Sequence, residues 1–139
     1  MEINTILNYQ PILLYDGSCG FCNKAILFFL KNEKNNKMHF ASLQSEIGTQ
    51  LKKHFELDHK IDSMILIKEY SAHIKSCAAL RLSLYMKGLW PLLIVLVLIP
   101  PFIRNYVYDY IAKKRKKITS SIIMCDRIDE VNKFRFLDL

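Results

Sequence analysis

The segment PILLYDGSCGFCNKAILFFL, residues 11–30, determines the start of the fold. Its first part, Pro11–Tyr15, is a short apolar run that indicates a buried strand, and the Asp-Gly pair that follows indicates a turn. The next part, Gly20–Leu30, is apolar at all but two positions, which predicts a helix covered on most sides. The order is therefore strand, tight turn and helix.

Two cysteines lie where this strand gives way to this helix. Cys19 and Cys22 are three residues apart, so on a first helical turn they share one side and are close enough to form a disulfide. The backbone amides of that turn have no intrahelical partner, and with the helix dipole they favour a thiolate at Cys19. We therefore predict Cys19 as the attacking thiol and Cys22 as the resolving thiol of disulfide exchange.

The residues around the cysteine pair leave two questions open. Asp16 is either a carboxylate that accepts hydrogen bonds within the turn, which its residue type favours, or an acid that takes a proton from Cys22. Phe21 is either a substrate contact or part of the core. The direction of exchange depends on the reduction potential, which Gly20 and Phe21 influence but do not reveal.

The middle of the chain predicts three more strands. Alternation over Lys37–Ser42 indicates a second strand, parallel to the first because a helix connects the two. Ser45–Phe55 has apolar residues at four-residue steps and predicts an amphipathic helix. Ser63–Lys68 indicates a buried strand and Ala72–Lys75 a weaker one, although the hairpin between them lacks a Gly, Asn or Asp turn pair.

Helices are predicted after the last strand. Ser76 is placed to cap a helix that Gly88 would end, and Pro101 suits the start of a last long helix with an apolar stripe. Together these elements predict one α/β domain over residues 1–139. We expect a core over about residues 10–90 with a central four-stranded mixed sheet flanked by helices, and a helical C-terminal extension over about residues 91–139.

Charge and cysteine content limit the class of protein. The formal net charge is +7, but the five basic residues Lys113–Lys117 alone supply +5, so the sequence has a local basic cluster rather than a nucleic-acid-binding stripe. Four cysteines with one close pair do not resemble the disulfide framework of a secreted protein. The first ten residues do not resemble a secretory signal. We expect a cytoplasmic protein that binds no nucleic acid.

A charge-free stretch of 16 residues, Gly88–Ile103, permits two interpretations. Prolines interrupt it near both ends, and the remaining Leu92–Ile99 is too short to span a bilayer, which needs about 20 apolar residues. A buried helix is the favoured prediction. The alternative is peripheral membrane contact, because Lys113–Lys117 follows closely and would favour anionic lipid.

A non-catalytic scaffold that binds a metal through the cysteine pair is the alternative to an enzyme. His54, His59 or Cys125 could complete such a site, but 31 residues separate Cys22 from His54, instead of about 12 in a compact zinc finger. We therefore predict no metal and no cofactor.

The chain also resembles the DCC family of thiol–disulfide oxidoreductases, named for the signature formed here by Asp16, Cys19 and Cys22. The likeness extends beyond the signature over roughly residues 10–138. It includes LLYDGSCGFCN, FASLQSEIG, the Asp62-Ser63 pair, SCAAL, Tyr108, YIAKKRKKI and the closing Cys125 with FRFLD. Several separated blocks thus recur in the same order.

The resemblance implies a thioredoxin-like domain with a redox-active cysteine pair, a disulfide- or dithiol-containing substrate and an unidentified electron donor. Thioredoxin-like enzymes generally have a cis-proline before the third strand, whereas this sequence has Asp62 and Ser63 there. We predict that these two residues, with Gly20 and Phe21, bind substrate. Cys77 also departs from the family pattern, and its place on an apolar helix face predicts a core residue.

Overall fold

The structure is a computed structural model, and it describes residues 2–16, 20–35, 37–58, 60–61, 63–115 and 135–137 of the 139, without the side chains of residues 20–23, 112 and 115. The strands are β1 (Ile12–Tyr15), β2 (His39–Ser42), β3 (Ile65–Lys68) and β4 (Ser71–Ile74). The α-helices are α1 (Ile3–Leu7), α2 (Gly20–Asn32), α3 (Glu46–His54), α4 (Lys75–Leu82) and α5 (Pro101–Arg115). Two 3₁₀ helices, Ser83–Tyr85 and Trp90–Leu98, follow α4.

The four strands form one mixed sheet in the order β2-β1-β3-β4. β1 and β2 are parallel, whereas β3 is antiparallel to both β1 and β4. The α2 crossover explains the parallel pair, because strands joined through a helix can run in the same direction. The predicted fold class is confirmed: the chain is an α/β protein with a thioredoxin-like arrangement of sheet and helices.

Both faces of the sheet are buried, which explains why β1 is a continuous apolar run. Leu13 and Tyr15 point to a core that includes Ile26 and Phe29 of α2. Ile12 and Leu14 point to the other face, where α1 and α3 contribute buried side chains. The two-residue period of the strand thus divides adjacent residues between two cores.

The β3–β4 hairpin is confirmed, and its turn uses residues that the sequence rules disfavour. Glu69 and Tyr70 have φ angles of 52° and 60°, so both are left-handed. Two-residue hairpins favour this geometry because its twist matches that of the strands, although it usually requires Gly, Asn or Asp. Pairing of Lys68 with Ser71 therefore imposes a strained backbone on two ordinary residues.

The start of α4 differs from the prediction. Ile74 is the N-cap, and Ser76 lies inside the helix, where its hydroxyl donates to Asn105 Oδ1 at 2.6 Å instead of capping. The prediction that Ser76 caps this helix was therefore wrong, because its hydroxyl bonds to Asn105 of α5 instead. The α-helix ends at Leu82, and Gly88, with a φ of 71°, follows the first 3₁₀ helix.

The buried helix predicted for Leu92–Ile99 was also wrong. This stretch lies in and just after a 3₁₀ helix from Trp90 to Leu98 that has no buried residue. Pro91 lies in the first turn and Pro100 follows Ile99, so the prolines limit the length of this helix. It packs along α4 and the first 3₁₀ helix, and no described element covers its other side. Among the described residues, no helix combines the length and apolar character needed to cross a membrane.

The described C-terminal residues, 135–137, pack against β2. Phe40 N donates to Arg135 O at 2.9 Å, and Leu137 N donates to Phe40 O at 2.8 Å. The Phe136 ring stacks on Phe40 with centroids 5.0 Å apart. This short segment therefore covers the β2 edge of the sheet, which would otherwise expose backbone hydrogen-bonding groups.

Candidate functional site

The predicted site lies at one end of the sheet. β1 ends at Tyr15, which pairs with Ser42, the last residue of β2, and α2 begins only five residues later at Gly20. The antiparallel register pairs Leu14 of β1 with Ile65 of β3. Asp16 lies two residues after Leu14 and Ser63 two residues before Ile65, so both lie at the same end of the sheet. The topology therefore gathers the carboxyl ends of β1 and β2, the approach to β3 and the amino end of α2.

Asp16 is half-buried at this end and is held from the neighbouring strand. Gln44 Nε2 donates to Asp16 Oδ1 at 2.8 Å. The Ser42 hydroxyl donates in turn to Gln44 Oε1 at 2.6 Å, which fixes the orientation of the amide. This chain of hydrogen bonds holds the carboxylate against the loop that follows β2.

The loop that carries Gln44 is fixed by the first turn of α3. Ser45 Oγ donates to Ser42 O at 2.7 Å and accepts from Gly48 N at 3.0 Å, which makes Ser45 the N-cap of α3. A Cβ atom on Gly48 would overlap the Ser42 carbonyl oxygen. The glycine therefore allows α3 to approach β2 closely, and this approach sets the position of Gln44.

Ser63 lies on the β3 side of the site. Its side chain is buried, and its Oγ has no hydrogen-bond partner within the described part of the chain. A pocket of about 240 Å³ adjoins it, and Lys75, Tyr108 and Asp109 line this pocket too. Met64 N donates to the Tyr108 hydroxyl at 3.4 Å, so α5 supports the backbone beside Ser63.

The structure places some of the predicted site residues and not others. Gly20, Phe21 and Cys22 form the first turn of α2, although their side chains are not described. Cys19, Asp62 and Cys125 lie outside the described residues. Asp16 and Ser63 are the predicted site residues whose side chains the structure describes, and both belong to this end of the sheet.

Two contacts add residues that sequence reasoning did not assign to the site. Gln44 had a signal, because it lies in the FASLQSEIG block that resembles the family, but no pattern indicated that it would bond to Asp16. Tyr108 is also one of the positions that resemble the family, but no pattern indicated its contact with Met64. Both contacts join residues far apart in the chain, and such pairs follow from strand order and helix docking.

Two histidines have lowered pKa values: His39 lies at the opposite end of β2, and His73 lies one residue before Ile74, which lines the pocket beside Ser63. Burial lowers the pKa of His39, at the start of β2, and the positive charge of Arg135 lowers it further. Burial likewise lowers the pKa of His73 on β4, with added repulsion from Arg81 and Lys68. Among the residues that the structure describes, no group of three His, Cys, Asp or Glu side chains could hold a metal ion.

Comparison with known proteins adds three findings. Residues 13–121 match the family model described as DCC1-like thiol-disulfide oxidoreductase. The chain is 36% identical over 107 residues to the uncharacterized protein YuxK of Bacillus subtilis (strain 168), an overlap of 76% of this chain and 78% of that protein. It is 32% identical over 108 residues to the chloroplastic DCC family protein At1g52590 of Arabidopsis thaliana, covering 76% of this chain and 63% of that one.

No solved structure matches the chain. The family model nevertheless covers most of the sequence, including the cysteine pair, all of the sheet but its first residue, Ile12, and helix α5. The chain belongs to the DCC1-like thiol-disulfide oxidoreductase family.

Proposed function

We propose that this protein is an enzyme that exchanges disulfides through Cys19 and Cys22, with Cys19 as the nucleophile. The observation that carries the proposal is the position of α2. The helix begins at Gly20, the residue after Cys19, and Cys22 lies in its first turn. Sulfurs at these positions benefit from the free amides and positive dipole end of a helix, which stabilise a thiolate.

The reaction has two steps. Cys19 thiolate attacks a substrate disulfide, a Cys19–substrate disulfide forms, and the other substrate sulfur leaves as a thiolate. Cys22 thiolate then attacks Cys19 sulfur and displaces the second substrate sulfur. The substrate gains two electrons and the Cys19–Cys22 disulfide forms, which a dithiol electron donor reduces again. A substrate dithiol would run the same steps in reverse.

Asp16 is the third catalytic-site residue of the proposal. Its hydrogen bond from Gln44 supports a structural role, in which the carboxylate ties the end of β1 to the loop after β2. The alternative, proton transfer with Cys22 during resolution, uses the same position. The two roles differ in their pH dependence, because a proton acceptor changes the rate of the second step as it titrates.

Ser63 and Asp62, with Gly20 and Phe21, form the proposed substrate-binding residues. The buried Ser63 hydroxyl lacks a partner among the described residues, and buried hydroxyls are normally hydrogen-bonded. A substrate backbone group that reaches the approach to β3 would satisfy it. This contact would replace the docking surface that a cis-proline provides in thioredoxin-like enzymes.

A trapping experiment tests the exchange. The Cys22→Ser variant of the full chain should accumulate a mixed disulfide with oxidised glutathione or a disulfide-containing peptide, because the resolving thiol is missing. Cys77→Ser, added to Cys22→Ser, is the matched control. This half-buried thiol contacts Arg104, and its loss should leave the amount of trapped mixed disulfide unchanged. Cys19→Ser/Cys22→Ser should trap nothing.

Absence of mixed disulfide in Cys22→Ser with every disulfide tried would contradict the proposal. One tightly bound zinc or iron ion per chain, in protein purified under reducing conditions, would favour the metal-binding scaffold instead. A measured reduction potential of the Cys19–Cys22 couple would assign the direction of exchange, since reductases and oxidases differ by more than 100 mV. A reducing, cytoplasmic compartment remains part of the proposal on the evidence of cysteine usage.

A further inference from the structure

Helix α5 is oriented opposite to an ordinary surface helix. Three of its polar side chains face the protein: Asn105 bonds to Ser76, Tyr108 accepts from Met64 N, and Asp109 pairs with Lys75 at 3.3 Å. Its apolar side chains face outward, and all of the following are exposed: Phe102, Ile103, Tyr106, Val107, Tyr110 and Ile111. A surface helix normally buries its apolar stripe, whereas within the described part of the chain this stripe is only half-covered, at a groove shared with α4.

The preceding 3₁₀ helix extends the same surface. Leu92 and Leu98 are 63% and 85% exposed, and Phe102 and Tyr106 on α5 are 74% and 75% exposed. An apolar groove of about 250 Å³, to which Leu96, Ile99 and Ile103 contribute, joins the two elements. We call the exposed apolar residues of 89–111 the apolar face. Proteins that act as free monomers rarely expose a continuous apolar patch of this kind.

Among the described residues, the unpaired charges at the end of the apolar face are positive. Residues 70–108 contain no Asp or Glu, and Asp109 is paired with Lys75. Lys113 and Lys114 are exposed at the end of α5, and Arg115, Lys116 and Lys117 follow them in sequence. Lys113 and Lys114 therefore place positive charge at the end of the apolar side chains.

We propose that the apolar face docks on an anionic membrane surface, with Lys113 and Lys114 against the lipid headgroups. Apolar and aromatic side chains on one face combined with adjacent lysines are the features of an element that lies in the interface of a bilayer. Trp90, Tyr106 and Tyr110 are exposed, and Trp and Tyr favour the headgroup level. A second copy of the chain is the alternative occupant, but an apolar contact between two copies would give no role to the adjacent lysines.

Docking in this orientation would bring the candidate site close to the lipid. The inner side of α5 contacts the approach to β3 through Tyr108 and Met64, so the site and the apolar face share one helix. The docked protein would therefore act near the membrane surface. Binding itself does not depend on the cysteines, and Cys19→Ser/Cys22→Ser should bind vesicles as the wild type does.

Vesicle co-sedimentation of the full chain tests the proposal. We expect binding to phosphatidylcholine vesicles that contain phosphatidylglycerol, and much weaker binding to phosphatidylcholine alone. Binding should be strong at about 0.01 M salt and weak at about 1 M, because the Debye length falls from about 30 Å to about 3 Å. Lys113→Gln/Lys114→Gln should weaken partitioning about tenfold or more, since both lysines would lie near the surface.

Matched variants separate the apolar face from general surface effects. Tyr106→Ala should weaken vesicle binding several-fold, whereas Tyr70→Ala should not, although Tyr70 is 70% exposed and so closely matched in accessibility. Lys31→Gln/Lys34→Gln, at exposed positions at and after the end of α2, is the control for the lysine variant. Circular dichroism of each variant would check that the fold is retained.

Three results would overturn the proposal: no sedimentation with anionic vesicles at low salt, equal binding to neutral vesicles, or equal losses for Tyr106→Ala and Tyr70→Ala. A concentration-dependent dimer that Tyr106→Ala dissociates, without vesicle binding, would assign the apolar face to a second copy. None of these measurements uses thiol exchange, so their failure would leave the proposed redox function standing.

Discussion

Gln44 and Asp16 are 28 residues apart in the chain, and the Gln44 amide donates to the Asp16 carboxylate at 2.8 Å. The bond links the loop after β2 to the residue that follows β1, at the end of the sheet where α2 begins. Ser42 fixes the amide by donating to its oxygen. Gln44 is therefore the residue that ties the signature aspartate to the adjacent strand.

We predict that Gln44→Leu slows disulfide exchange about fivefold with little change in thermal stability. A hydrogen bond to a charged group at a solvent-accessible position contributes about 1 kcal/mol, and loss of that amount from a properly positioned site is roughly a fivefold change in rate. Stopped-flow reduction of a disulfide peptide would measure the effect.

Gln50→Leu is the matched control, because Gln50 also donates to a carboxylate, that of Glu46, but on the α3 surface. If Gln44 acts through Asp16, Gln44→Leu should have little further effect in an Asp16→Asn background. Additive losses in the double variant would show that the two residues act independently.

A second prediction concerns the buried pair of Glu33 and Arg135. Both side chains are almost fully buried, and Arg135 Nε also donates to Met38 O at 2.9 Å. Glu33→Gln or Arg135→Met should each lower the free energy of unfolding by about 3–5 kcal/mol, because either change leaves a buried group unpaired. Urea unfolding followed by circular dichroism would measure this loss.

The surface pair of Lys68 and Glu69 provides the comparison. Glu69→Gln should cost less than about 1 kcal/mol, since both side chains are solvated. The double variant Glu33→Leu/Arg135→Met should recover part of the stability that each single change removes, because it buries no unpaired charge. Equal small losses at Glu33 and Glu69 would contradict the burial argument.

Gly48→Ala should destabilise the protein by about 1–3 kcal/mol, although alanine usually favours helices over glycine. The added methyl group would overlap the Ser42 carbonyl oxygen and push α3 away from β2. Thr49→Ala, at the next and exposed position of α3, should change the unfolding midpoint little. A Gly48→Ala variant at least as stable as the wild type would refute this close approach.

The pKa of His39 leads to a prediction about acid stability. Burial and the charge of Arg135 hold the folded-state pKa below the ordinary 6.5, so the unfolded chain takes up this proton more readily. The free energy of unfolding that neutral His39 contributes is fully present above about pH 6.5. It is lost as the pH falls from this value toward the lower pKa of the folded state. His39→Gln should therefore reduce the loss of unfolding free energy between about pH 7 and about pH 5.

His54→Gln is the control for this effect, because His54 is exposed on the last turn of α3. His73 also has a lowered pKa, so some pH dependence should remain in the His39 variant. An unchanged pH dependence in His39→Gln would mean that His39 does not contribute to acid sensitivity.

Local pattern was sufficient to predict most of the elements. The apolar run before Asp16, the helix after it and the amphipathic α3 follow from hydrophobic periodicity and turn residues, which act over a few neighbours. The sheet confirms the predicted α/β class, and the match to the family model confirms the predicted family. The roles of Cys19, Cys22 and Asp62 remain predictions.

Local pattern failed where distant contacts decide the outcome. Ser76 resembled a helix cap, but α5 packs beside it and Asn105 takes its hydroxyl. The left-handed Glu69-Tyr70 turn is imposed by the register of β3 and β4, since neither residue favours that backbone by itself.

The sequence by itself determined the order of β1–β4 and α2–α5, because side-chain periodicity and turn chemistry are short-range, but it gave no signal for α1. Only the tertiary structure decided that Gln44 reaches Asp16, that Arg135 pairs with Glu33, and that the apolar stripe of α5 faces outward. Which side of a helix is buried depends on the partners it docks against. For α5 these partners are the polar groups of α4 and the approach to β3, so its apolar side remains exposed.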